Sequence, residues 1–391
     1  MTIRTTARPL LVLLLAVLVA GCSGGGVPPG PGNPSGSAVV VGFAPTGGAV
    51  SVRPDALVRV AATSGRLTAV DVRPQGGAAA VPGALSADGS SWTAQAGVLL
   101  QLDTEYVVEA HAVDADGRGR SVRSTFTTLR PKGVLNTVIT PGNGALVGVG
   151  MPLMVKFTQK VADRAAVERA LSVEMSKPVE GSWRWFSSQE IHFRPRTYWP
   201  AGEHVSVTFH LAGVDAGGGV WGDHDRSFSF DVAPSALVST VDITAHTMTV
   251  TKNGSVLRVI PITTGKDGYL TRGGTKVIIS KERTRLMDST TVDIPPGSPD
   301  AYHLTVAYAL RLTWSGEFVH AAPWSVAHQG HENVSHGCTG MSTANAAWFY
   351  SISRIGDVVR YVHSTRPLEP GNGYTDWNLS WAAWTAGSAV G

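Results

Sequence analysis

Three observations on the sequence predict a mostly β chain, built of tandem β-sandwiches followed by a β-rich C-terminal unit with one main helix. Short apolar alternations of period two recur along the chain, and Asp-Gly and Asn-Gly turn signals separate them. The 45 glycines and 23 prolines supply the punctuation that many short strands need. At 391 residues the chain exceeds what one hydrophobic core organises, so roughly two to four domains are expected. Hydrophobic residues at 43% against charged residues at 16% favour a β-rich globular protein. A net charge of +3 is too weak a bias to point to nucleic acid, although it suits an anionic wall or membrane surface.

At the N-terminus, Arg4 and Arg8 precede an apolar run from Leu10 to Ala20, the layout of a secretory leader. The run ends in Val19-Ala20-Gly21-Cys22, which resembles the bacterial lipobox, whose cysteine is acylated and becomes the new N-terminus. Eleven apolar residues are too few to cross a hydrocarbon core of about 30 Å. Residues 1–22 therefore read as a lipoprotein signal, with Cys22 lipidated and the membrane a partner through that anchor. Residues 23–37, rich in Gly, Pro and Ser, read as a flexible tether. The expected location is extracytoplasmic, at the outer face of the membrane within the cell wall. Of the two cysteines only Cys338 then stays free. A lone thiol in an exported protein forms no internal disulfide, and is either buried and inert or reactive for a purpose.

Residues 38–131 show alternations such as Leu57-Val58-Arg59-Val60 and Tyr106-Val107-Val108-Glu109-Ala110. The stretch 132–233 repeats the theme, and both stretches have the size of an immunoglobulin-like domain. A helical turn or two is expected around Asp163 to Leu171. Trp183, Trp185, Phe186, Tyr198 and Trp199 could bind glycan, but alternating aromatics on one strand face fit packing better. No chemistry is assigned before residue 233.

The third unit, 236–365, opens with strand patterns flanking Lys252-Asn253-Gly254, a strong hairpin signal because both turn positions tolerate positive φ. Further strands are expected at Lys276–Ile279 and at His303–Trp314, and 286–302 reads as a long loop able to cover a cleft. Ser342 looks like an N-cap for a helix directly after the cysteine, with Ala344, Ala347, Trp348 and Ile352 forming its apolar face. The closing stretch 366–391 is a tail whose Trp377, Trp381 and Trp384 share one face and clamp back onto a domain.

Chemistry concentrates between His320 and Cys338, which holds four of the twelve histidines: His320, His328, His331 and His336. Zinc would want ligands at short regular spacing, and no CxxC or HxxxH pairing occurs. A cysteine nucleophile asks less: an imidazole about 3 Å from the sulfur, a group that orients it, and amide donors for an oxyanion. Ser335-His336-Gly337-Cys338 fits those demands, and a loop before a helix would lower the thiol pKa. Spacing leaves the base open between His336, two residues from the sulfur, and His320, at the end of Glu317-Phe318-Val319-His320.

His320-Ala321-Ala322-Pro323-Trp324-Ser325, then Gly330-His331-Glu332-Asn333 and Ser335-His336-Gly337-Cys338, closely resemble the L,D-transpeptidase signature. The likeness extends to Met287-Asp288-Ser289, Trp348-Phe349-Tyr350 and Asp376-Trp377-Asn378, and with the tandem modules and lipobox it resembles the actinobacterial lipoprotein members. This implies a β-rich catalytic domain needing no cofactor or metal. Cys338 would attack the carbonyl between diaminopimelate and D-Ala of a peptidoglycan stem, with His320 the base, oriented through the Ala321 carbonyl. Tyr302 and Gly337 would help hold the oxyanion. Met287, Tyr302, Trp324, Ser335, His336, Gly337 and Gly340 would line the substrate site. A second diaminopimelate amine would resolve the thioester into a 3→3 crosslink, and carbapenem-type β-lactams would acylate the sulfur. Where the family motif carries Asn two residues after the cysteine, this chain has Gly340. Release of the acyl group to water, as in an L,D-carboxypeptidase, and a catalytically impaired wall-binding lipoprotein are the competing readings.

Overall fold

A computed structural model describes residues 37–391; the expected leader, Cys22 and all but the last tether residue lie outside the described residues. In the first sandwich one sheet runs Val40–Ala44, Arg59–Thr63, Ser91–Ala94, Gly83–Leu85. Its partner sheet runs Ala49–Val52, Gly119–Thr128, Glu105–Asp114, Gly65–Pro74. The period of two directs the packing: Tyr106, Val108, Ala110 and Ala112 alternate inward and share a core with Val60 and Trp92 of the facing sheet.

The second sandwich pairs Thr137–Thr140, Leu153–Phe157, Glu190–Pro195 and Gly181–Trp185 in one sheet. The other holds Ala145–Val147, Arg226–Val232, His204–Phe209 and Leu171–Met175. Its expected helical insert is Arg164–Arg169, capped by the Asp163 carboxylate, which accepts from the Ala166 amide at 2.9 Å. Trp183, Trp185 and Trp199 are buried in the core, so these aromatics pack; Phe186 is the exposed exception.

In the third unit a five-stranded sheet runs Ser255–Pro261, Thr247–Lys252, Leu237–Asp242, Val358–Val362, Gly274–Val277. The hairpin turn is as expected, with Asn253 and Gly254 at φ 51° and 82°. A four-stranded sheet runs Ser280–Asp288, His303–Arg311, Phe318–Ala321, Thr339–Met341, and its last pair is parallel. Both sheets and the helix Thr343–Ile352 close on one core containing Val241, Ile260, Leu310, Val319, Met341 and Phe349.

Several local expectations shift. The strand expected at Lys276–Ile279 is Gly274–Val277, and the one expected to reach Trp314 stops at Arg311. The first strand of the cleft sheet runs on to Asp288, which shortens the expected loop. Ser342 is the helix N-cap, accepting from the Asn345 amide at 3.3 Å, but the strand Thr339–Met341 separates this helix from the cysteine. The helix also buries Ala346 and Phe349 in place of Ala344 and Ala347, because apolar residues occur on every face and spacing alone could not choose.

The second sandwich and the third unit share a core, since Val277, Ile279, Val358 and Tyr374 pack among the sandwich residues. Gly148 makes this contact possible: a Cβ there would stand 2.2 Å from the Asp357 amide nitrogen. The tail locks the contact. Trp377, Trp381 and Trp384 donate their indole N–H to Gly150 O, Glu180 Oε1 and Ser182 O at 2.7, 3.0 and 2.9 Å. The Arg194 guanidinium lies over all three rings, 4.5 to 5.4 Å from their centres.

Candidate active site

The cleft sheet places the chemistry. Parallel pairing sets His320 opposite Gly340, which brings Cys338 level with Phe318 at the same sheet end. A cleft of about 380 Å³ opens there, lined by Met287, Tyr302, His320, Trp324, Ser335, His336, Cys338 and Gly340. Eight of the expected site residues thus meet around one cavity, although they come from separate parts of the chain. The other two lie behind it. Ala321 is buried, and its carbonyl accepts from His320 Nδ1 at 2.8 Å. Gly337 adopts φ 123°, a region L side chains avoid, and its carbonyl accepts from Thr271 Oγ1 at 2.8 Å.

A carbonyl can only accept, so the Ala321 bond puts the His320 proton on Nδ1 and leaves Nε2 with a free lone pair. Burial pulls the His320 pKa below the ordinary imidazole value, against the Ala321 carbonyl, and keeps the ring neutral at pH 7. Burial also pushes the Cys338 thiol up to about 11, with the Phe318 amide, Lys276 and Arg311 opposing the rise and Glu317 adding to it. This reverses the lowered thiol pKa expected from a helix terminus. The helix begins four residues later, beyond a strand, so its dipole does not point at the sulfur. The Cys338 thiol donates to the Gly316 carbonyl at 3.6 Å, so the cleft holds a neutral thiol and a neutral imidazole.

His336 is oriented away from base duty: its Nε2 lies 3.2 Å from Asp300 Oδ1. Lys266 Nζ, 2.5 Å from the same oxygen, holds the Asp300 carboxyl down at about 2, with His336 assisting. Tyr269 donates to Asp300 Oδ2 at 3.1 Å, so the loop over the cleft is tied down at this point. Burial, then the nearby thiol, push the Tyr302 hydroxyl up to about 12, which keeps it a neutral donor. His328 pairs with Glu332 at the surface and His331 is exposed. Among the described residues no three His, Cys, Asp or Glu side chains converge as a metal-ligand set.

Gly340 has close neighbours: a Cβ there would meet Ala322 Cβ at 2.9 Å and Thr263 Cγ2 at 3.0 Å. Asp300, Lys266, Tyr269 and Glu317 escaped the sequence reading. None stands at a motif spacing, and Glu317 was visible only as part of the strand pattern that ends in His320.

Comparison with known proteins bears on this geometry. Residues 237–360 match the model of the L,D-transpeptidase catalytic domain, and residues 49–215 match that of a bacterial Ig domain, across parts of both sandwiches. L,D-transpeptidase 2 of Mycobacterium tuberculosis (strain CDC 1551 / Oshkosh) is 37% identical over 345 residues, 88% of this chain and 83% of the relative. L,D-transpeptidase 1 of Mycobacterium tuberculosis (strain ATCC 25618 / H37Rv) is 42% identical over 224 residues, 57% of this chain and 83% of the relative. Among solved structures, LD transpeptidase LdtMt1 in complex with imipenem is 41% identical with a TM-score of 0.52, covering 59% of this chain and 100% of that one.

Proposed function

The chain belongs to the L,D-transpeptidase family, and on that premise we propose that it crosslinks peptidoglycan stem peptides through a thioester on Cys338. The reading is carried by one observation: the one free thiol among the described residues and an imidazole whose Nε2 keeps its lone pair line the same cleft. With both groups neutral at rest, proton transfer accompanies attack. The thiol turns from the Gly316 carbonyl to His320 Nε2, which takes its proton as the sulfur bonds to the carbonyl carbon after diaminopimelate. The Tyr302 hydroxyl donates to the oxyanion, and the Gly337 amide, which at rest donates to Ser335 Oγ at 3.1 Å, joins it only by turning from that partner. The C–N bond to D-Ala then breaks, and His320 returns its proton to the leaving amine. A second diaminopimelate amine attacks the thioester, losing a proton to His320 as the sulfur departs, which leaves a 3→3 crosslink. Trp324, 60% exposed at the cleft rim, offers an apolar face to the stem.

A carbapenem such as imipenem, acting as an acyl donor, provides the test. Intact-mass spectrometry is expected to find one drug adduct on the wild type and none on Cys338→Ala. An unmodified wild type, or an adduct on both, overturns the assignment. Muropeptide products from a tetrapeptide substrate then separate the outcomes: dimers mark transpeptidation, free tripeptide marks transfer to water, and binding without turnover marks an impaired enzyme.

The lipid anchor at Cys22 and the extracytoplasmic location belong to the same proposal and rest on the leader pattern. Cys22→Ala is expected to release the protein from the membrane fraction; retention at the wild-type level refutes the anchor.

A further inference from the structure

The nucleophile stands over buried charge that the reaction above does not use. Lys276 is 1% exposed, with Nζ 2.5 Å from Glu317 Oε2 and 3.7 Å from the centre of the Tyr361 ring. Glu317, 4% exposed, accepts at Oε1 from the Arg272 amide at 2.9 Å and from its Nη1 at 3.2 Å. Taking such ions out of water is costly, and an apolar cluster of the same volume often stabilises as well or better. Stability alone therefore gives little reason for this array. Its position gives a better one. Glu317 Oε1 lies 3.9 Å from where a Gly337 Cβ would stand, and the residue before Glu317 supplies the carbonyl that receives the Cys338 thiol. Tyr361, under Lys276, bonds Thr339 Oγ1 at 2.6 Å. Residues 337, 338 and 339 thus each touch the array or a residue adjoining it.

We propose that Lys276, Glu317 and Arg272, with Glu369 paired to Arg272 on its outer side, form a charge-balanced support that positions the Gly337–Cys338 turn and cancels the field beneath the sulfur. The proposal rests on Cys338 being the nucleophile. Glu317 opposes a thiolate, while Lys276 and Arg311 favour it; Tyr302, Tyr361, His320 and His336 complete the titratable surroundings. Burial already disfavours the thiolate, so the balance between Glu317 and Lys276 decides how far the sulfur remains reactive near neutrality. Both are positioning residues, acting through the sulfur without touching substrate.

The test uses the full chain and iodoacetamide, with the modified Cys338 peptide quantified by mass spectrometry across pH. Lys276→Met leaves the Glu317 charge facing the sulfur and is expected to slow alkylation at neutral pH about tenfold, equal to an upward shift of one pKa unit. Glu317→Gln removes the opposing charge and is expected to speed it by a similar factor. The double variant returns near the wild-type rate. A merely structural role would move the two single variants in the same direction, and that result, or no change in either, overturns the proposal. If Lys276→Met fails to fold by circular dichroism, the near-isosteric Glu317→Gln and the double variant decide: slower or unchanged alkylation by Glu317→Gln overturns it. Iodoacetamide reads the sulfur without any acyl donor, so this outcome is separable from that of the carbapenem adduct.

Discussion

At the scale of single residues, the site depends on which atom of His320 is free. The Ala321 carbonyl occupies the Nδ1 proton, so only Nε2 can serve as base, and no other histidine in the cleft is as well prepared. Replacing the ring by an amide that cannot take a proton should remove general-base assistance. His320→Gln is expected to lower the rate of carbapenem acylation by roughly 100- to 10,000-fold, measured by stopped-flow fluorescence. Burial pulls the His320 pKa below 6.5, so wild-type acylation should fall only when the pH drops below the ordinary imidazole range, and the variant should lose that inflection. Wild-type acylation that falls already at neutral pH would contradict the assignment. Much of this site was legible because the proposed nucleophile and base and most of the expected cleft residues, Met287 and Tyr302 apart, crowd into 320–340, where a motif can be read. Lys276, Glu317, Asp300 and Lys266 were not legible, since strands far apart in sequence bring them together. The raised thiol pKa was equally hidden, because burial is a property of the folded surroundings and not of neighbours in the chain.

At the scale of elements, the local signals that succeeded were those with a steric cause. Asn253-Gly254 can adopt positive φ, and the Ser342 side chain can accept from a helical amide, so the hairpin and that cap appear where expected, while the helical insert expected near Asp163 is capped by the Asp163 carboxylate. Signals that relied on periodicity failed where the element was short or uniformly apolar. Thr339–Met341 has only three residues, fewer than an alternation needs to declare itself, yet this strand ties the residue after Cys338 into the sheet. The helix Thr343–Ile352 has apolar residues all round, so its buried face is chosen by the sheet beneath it.

At the scale of the whole molecule, a buried ion pair joins the second sandwich to the tail. His192 Nδ1 lies 2.7 Å from Asp376 Oδ1, and its Nε2 lies 3.0 Å from Glu190 Oε1. Burial disfavours charge on this ring, but Asp376 and Glu190 outweigh it and raise the pKa from 6.5 to about 9. A raised folded pKa means that the stabilisation is fully present below 6.5 and is lost as pH climbs through 9. At about 1.4 kcal/mol per unit, the loss is roughly 3 kcal/mol at most. Urea unfolding followed by tryptophan fluorescence should show the wild type weakening across that window, and His192→Gln should be flat there. A wild-type midpoint that does not move between pH 6.5 and 9 would refute the coupling.

The C-terminal tryptophans turn what looks like a loose end into a seam. Since Trp377, Trp381 and Trp384 are threaded under one arginine of the preceding sandwich, the last stretch of chain finishes the joint between two bodies. The smallest piece that can be cut out, fused or transplanted intact therefore contains both bodies. A tag or a premature stop at that end would act as a wedge in the joint.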